Sequence, residues 1–144
     1  MRRPSFGWMI AALFAVVIVP GSVRGFQEGV ADLEKATDLK LEASSIRDLD
    51  QVVKLCESAI AAGLDDESKT FAEQLLSGTL IESAQRYAEP ILRPGQTDPR
   101  WPFLRQQAVI RLDRAIEIAP DNPAAHLLRA QLLVLPEGDR EKAK

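Results

Sequence analysis

Between residues 26 and 135 the apolar positions recur at steps of three and four, the spacing that lines one face of an α-helix. Leu49, Val52, Val53, Cys56, Ala59 and Ile60 form one stripe. Phe71, Leu75, Leu80, Ile81, Ala84, Tyr87 and Ala88 form the next, and Trp101, Phe103, Leu104, Ala108, Leu112, Ala115 and Ile116 another. No stretch sustains the period-two alternation of a half-buried strand. The pattern predicts an all-α chain with helices over about 27–43, 46–62, 66–88, 101–118 and 123–135. Arg140 to Lys144 open a sixth.

The helix ends are marked by residues with a physical reason to be there. Gly63 tolerates the left-handed backbone that closes a helix, and Asp65 or Asp66 can cap the next. Glu89 to Arg100 carries Pro90, Pro94, Gly95 and Pro99 and reads as a loop, because proline removes a helical donor and crowds the preceding turn. Asp98-Pro99 reads as an N-cap followed by proline in the first helical position. Pro120 stops one helix, Asn122-Pro123 starts another, and Pro136-Glu137-Gly138-Asp139 turns the chain again.

One helix end is written twice. Glu57-Ser58-Ala59-Ile60-Ala61-Ala62-Gly63-Leu64-Asp65 lines up with Asp113-Arg114-Ala115-Ile116-Glu117-Ile118-Ala119-Pro120-Asp121. Such self-similarity marks helical repeat proteins, whose units bury their apolar faces on their neighbours. The helices pair as 27–62, as 66–118 across a proline-rich insertion at 89–100, and as an incomplete unit at 123–144.

In its second half the chain resembles the tetratricopeptide repeat family. Ala108, Leu112, Ala115 and Pro120 match the small, bulky, Ala and Pro positions of that family's second helix, and Asp121-Asn122 follows as is common there. Ala124 to Leu135 matches a first helix, with Ala130 at the close-contact position and His126 where the family often has Trp. Gly138 to Ala143 looks like the opening of another second helix. In the earlier unit Val52, Cys56, Ala59 and Leu64 take the equivalent places, and only Ala59 keeps the family's residue type. The resemblance implies an α-hairpin solenoid that binds a protein or peptide segment in the groove lined by its first helices. The groove positions it implies are Ala124, Leu127, Gln131 and Val134, with Phe71, Gln74 and Gly78 in the preceding first helix.

The start of the chain has a different character. Arg2-Arg3 precede 12 unbroken apolar residues from Trp8 to Val19, and Pro20, Gly21 and Ser22 then break the run. Basic, apolar and small in that order is a secretory signal, expected over 1–25 with cleavage near Gly25. The run falls short of the roughly 20 residues of a membrane span. The chain is therefore expected to be exported, periplasmic or secreted, without membrane association after cleavage; the alternative is an uncleaved anchor.

Charge narrows the partners. All 21 acidic residues but only 15 of the 18 basic ones lie beyond residue 25, a net charge of 15 − 21 = −6 for that part. That balance opposes non-specific binding to nucleic acid or anionic lipid.

Candidate chemistry is sparse. His126 is the single histidine, and Ala124, Ala125, Leu127 and Leu128 around it supply no nucleophile or proton to move. It reads as a core or groove-lining residue. Cys56, the single cysteine, lies on an apolar stripe and reads as a small buried hydrophobe; the sharper alternative is a redox or intermolecular thiol. Asp48-Asp50 and Asp65-Asp66 lie at helix starts and read as caps rather than as metal ligands or catalytic acids. Phosphate loops, zinc spacings and serine-nucleophile motifs are lacking, so no catalytic residue, cofactor or metal is assigned. Trp101-Pro102-Phe103 could tuck the loop onto the core or serve as an aromatic anchor for a partner.

The expected function is a non-catalytic, protein-binding scaffold. Alternatives are an N-terminal adaptor of a larger exported protein, such as a redox enzyme or protease, and a structural subunit that self-associates through its open C-terminal edge.

Overall fold

A computed structural model describes residues 20–93 and 98–135. The described residues form five helices and no strand: α1 (Pro20–Glu42), α2 (Ile46–Ala62), α3 (Asp66–Leu92), α4 (Trp101–Ile118) and α5 (Pro123–Leu133). The expected signal segment up to residue 19, residues 94–97 of the insertion and the expected sixth helix fall outside the described residues.

The caps explain most of these boundaries. Ser45 closes the start of α2 in a reciprocal box: its hydroxyl accepts the Asp48 N–H at 3.2 Å, and the Asp48 carboxylate accepts the Ser45 N–H at 2.9 Å. These bonds answer two donors that a helix start otherwise leaves open. Asp65 caps α3 through the Ser68 N–H at 2.8 Å, and Asn122 caps α5 through the N–H groups of Ala124 and Ala125. Gly63 ends α2 at φ 97°, a backbone that glycine adopts without steric cost.

Three boundaries differ from expectation. α1 is already helical at Pro20, the first described residue, where the apolar spacing predicts helix only from about 27. α3 runs through Pro90 to Leu92. The proline costs one donor near the helix end, Arg93 N–H still reaches Glu89 at 3.2 Å, and Ile91 packs on the core. Asp98 does not cap α4: it accepts the Arg100 N–H at 2.8 Å in the preceding turn. The N-cap is Arg100, and the first-turn proline is Pro102.

The core lies between the helices and repeats itself. Val52, Cys56 and Ala59 of α2 are fully buried, and so are Ala108, Leu112 and Ala115 of α4, the residues aligned with them in sequence. Gly63 and Ala119 then occupy the same C-cap place. α3 and α5 agree in the same way, since Ala72, Thr79 and Leu80 are buried at the spacing of Ala125, Leu132 and Leu133.

Neighbouring helices run antiparallel and alternate helices run parallel. Gly29 of α1 meets Ala59 and Gly63 near the end of α2, and Asp32 accepts from Ser58 at 2.7 Å. Along α1 and α3 the contacts advance together, from Leu33 beside Ala72 to Lys40 paired with Glu82. α1 touches α3 and α3 touches α5, but no Cα of α2 comes within 8 Å of one in α4. Side chains alone span that gap: Arg111 to Asp50 at 2.9 Å, and Arg114 to Glu57.

Candidate functional site

The odd-numbered helices each carry a polar or exposed face opposite the buried one, and the residues singled out from sequence lie there. On α5, Ala124, Leu127, Gln131 and Val134 are all exposed, Leu127 by 63%. Their spacing puts them on one face, while Ala125, Leu128, Leu132 and Leu133 are buried on the other. On α3, Phe71, Gln74 and Gly78 are exposed at matching intervals, Phe71 by 46%. Phe71 and Leu127 are thus large apolar side chains left in water, as Phe103 and Ile110 are on α4.

α1 completes one wall. Val30, Leu33, Glu34, Thr37 and Asp38 stand at helical spacing along it and, with Phe71 of α3, line an open cleft of about 400 Å³. Leu33 is buried at its floor and Phe71 forms one lip. Sequence reasoning overlooked these α1 residues, although their steps of three and four were visible. Gln74 lines a separate shallow depression with Thr70, Glu73, Ser77, Ile118 and Ala119.

Trp101 stands apart. It belongs to α4 and is half-buried, with the Arg105 guanidinium carbon 5.1 Å from its ring centroid, a cation–π distance. Phe103 is the exposed aromatic of that turn, at 56%.

The remaining candidates have local explanations. Cys56 is fully buried, and burial pushes its thiol up to about 11, because the charged thiolate is disfavoured away from water. His126 is exposed rather than part of the core; its Nε2–H donates to the Pro120 carbonyl at 2.6 Å and ties the α4–α5 turn. Asp48 and Asp65 cap helices, and the hydrogen bonds from Ser45 and Ser68 hold both carboxylates below the usual range. Asp50 does not cap; it turns to Arg111 across the helix gap. Among the described residues, no three His, Cys, Asp or Glu side chains are placed to hold a metal ion. No helix among them is long and apolar enough to cross a membrane.

The arrangement offers apolar side chains, amides and carboxylates on a helical face, beside a cleft of about 400 Å³. No protein-family model, curated protein or solved structure matches this chain.

Proposed function

We propose that this chain is a tetratricopeptide-like scaffold that binds a protein or peptide segment along the face of its odd-numbered helices, without catalysing a reaction. The observation that carries the reading is the asymmetry of the stack. Odd-numbered helices touch one another while α2 and α4 stay apart, the asymmetry expected of a stack that curves toward its odd side. A face with exposed Phe71, Leu127 and Val134 suits a segment that buries apolar side chains, with Gln74 and Gln131 to orient its backbone. The repeated burial pattern of α2 and α4 supports the same reading, since stacked equivalent units are how a solenoid builds a continuous core. Export belongs to this proposal on the strength of Arg2-Arg3, the apolar run to Val19 and the small residues after it.

The test is site-specific photo-cross-linking in the producing cell. A photoreactive side chain at 71, 74, 127 or 131 is expected to give discrete adducts, and one at Gln51 or Lys54, exposed on α2, is expected to give none. Equal labelling from both faces, or none from the odd one, would sink the reading.

A further inference from the structure

We infer that the α1–α3 cleft takes a segment of another protein in which a lysine or arginine adjoins an apolar side chain, an inference that rests on the groove reading above. The cleft has an apolar floor and lip, from Val30, Leu33 and Phe71, and a rim that carries Glu34 and Asp38. These two carboxylates stand four residues apart on one helix face, an arrangement of like charges that destabilises a helix. Both are exposed, and among the described residues neither has an ion-pair partner. Two other acids of these helices are answered, Asp32 by Lys35 and Ser58 and Glu82 by Lys40 and Arg86.

The larger cleft between α2, α3 and α4 makes the comparison. It also has an apolar floor, but Arg114 answers Glu57 there and Lys69 lies 3.9 Å from Glu73. Its charge is largely neutralised from within. There only Glu117 of three lining carboxylates is left unanswered, whereas in the α1–α3 cleft both lining carboxylates are left for a partner. A cation placed at its rim would relieve the Glu34–Asp38 repulsion and reach the face of the exposed Phe71 ring, while an adjoining apolar side chain would cover Leu33. An acidic segment would add a third like charge and is rejected by the same geometry.

Three fluorescein-labelled peptides of equal length, alternating leucine with lysine, with glutamate or with serine, test this by anisotropy against the full chain. The lysine peptide is expected to bind most tightly, more weakly as salt is raised. Glu34→Gln with Asp38→Asn is expected to weaken it by about tenfold, and Phe71→Ala comparably. Glu117→Gln, which removes an exposed carboxylate of the other cleft, should leave binding unchanged; an equal loss there would mark the attraction as non-specific and overturn the proposal. Binding of the serine or glutamate peptide that matches the lysine peptide and is lost with Phe71→Ala would overturn the cationic preference while leaving the groove reading standing. Failure of all three peptides would overturn both. Self-association of the wild type that the double substitution abolishes would assign the cleft to a second copy and likewise overturn it.

Discussion

The Arg111 guanidinium reaches Asp50 across the gap between α4 and α2, with Nη2 2.9 Å from Oδ1. Its other nitrogens donate to Ser83 Oγ at 2.9 Å and to Gln107 Oε1 at 3.0 Å, and its carbon lies 4.5 Å from the Tyr87 ring centroid. One side chain, 15% exposed, thereby joins three helices. Arg111→Ala leaves Ser83, which is buried, without that partner, and is expected to cost about 2–4 kcal/mol in urea unfolding. Asp50 is 42% exposed, so Asp50→Asn should cost below about 1 kcal/mol. Equal costs for the two would show that the ion pair, not the hub, carries the stability.

Glycines 29 and 78 should respond to alanine with opposite signs. A methyl on Gly29 would lie 2.9 Å from the Ala59 carbonyl oxygen and 3.0 Å from that of Gly63, and backbone oxygens cannot swing aside. Gly29→Ala is expected to destabilise by about 1–3 kcal/mol, because overpacking outweighs the gain in helix propensity. At Gly78 a methyl meets nothing within 4 Å, and the substitution should stabilise by about 0.5–1 kcal/mol. Thermal melts of both variants check the pair; a stabilised Gly29→Ala would show that α1 and α2 are not seated this closely.

Cys56 should be inert in the folded chain. With no exposed surface and a thiol pushed up to about 11, it offers neither access nor thiolate at neutral pH. A disulfide-exchange reagent is expected to titrate it only after denaturant is added. Fast labelling of the native protein would restore the reactive-thiol alternative.

Acid should loosen the α1–α3 seam through Glu82. The hydrogen bond from Lys40, followed by that from Arg86, holds its carboxyl below the usual range. A native carboxyl depressed in this way takes up its proton later than the unfolded chain does. Its contribution is therefore present above the ordinary glutamate value and lost as pH falls toward the native one. Glu82→Gln is expected to be less stable at neutral pH and to show a shallower decline with acid, read from urea midpoints across pH. Parallel declines in the two proteins would remove Glu82 from the account.

Helix identity was legible in the sequence because local chemistry decides it. Gly63, Asp65 and Asn122 act on donors and acceptors within three residues, and the buried stripe of α2 follows from spacing alone. The end of α3 was not legible, since whether a helix continues past Pro90 depends on what Ile91 packs against. The candidate site divides the same way. Spacing puts Phe71 on the apolar stripe of α3, where it is nonetheless exposed, and Phe71 and Leu127 stand out as groove positions only through the family resemblance. The α1 wall and the Arg111–Asp50 pair, 61 residues apart, exist because alternate helices run parallel, and no local window contains that relationship.

The open seam between α2 and α4 gives the stack two sides with opposite responses to solution conditions. Raised ionic strength weakens the Arg111–Asp50 and Arg114–Glu57 struts and also the Lys40–Glu82 pair, while the apolar contact of Leu33 with Ala72 that remains between α1 and α3 is tightened. Salt therefore acts as a bending moment, widening the strutted side and pressing the other closed. Spin labels at Gln51 and Gln106, exposed on α2 and α4, are expected to move apart as salt is added, and a fixed separation would make the stack a rigid body. Helices packed this way carry their stiffness in two different currencies of solvent, and their spacing becomes a property of the medium as well as of the chain.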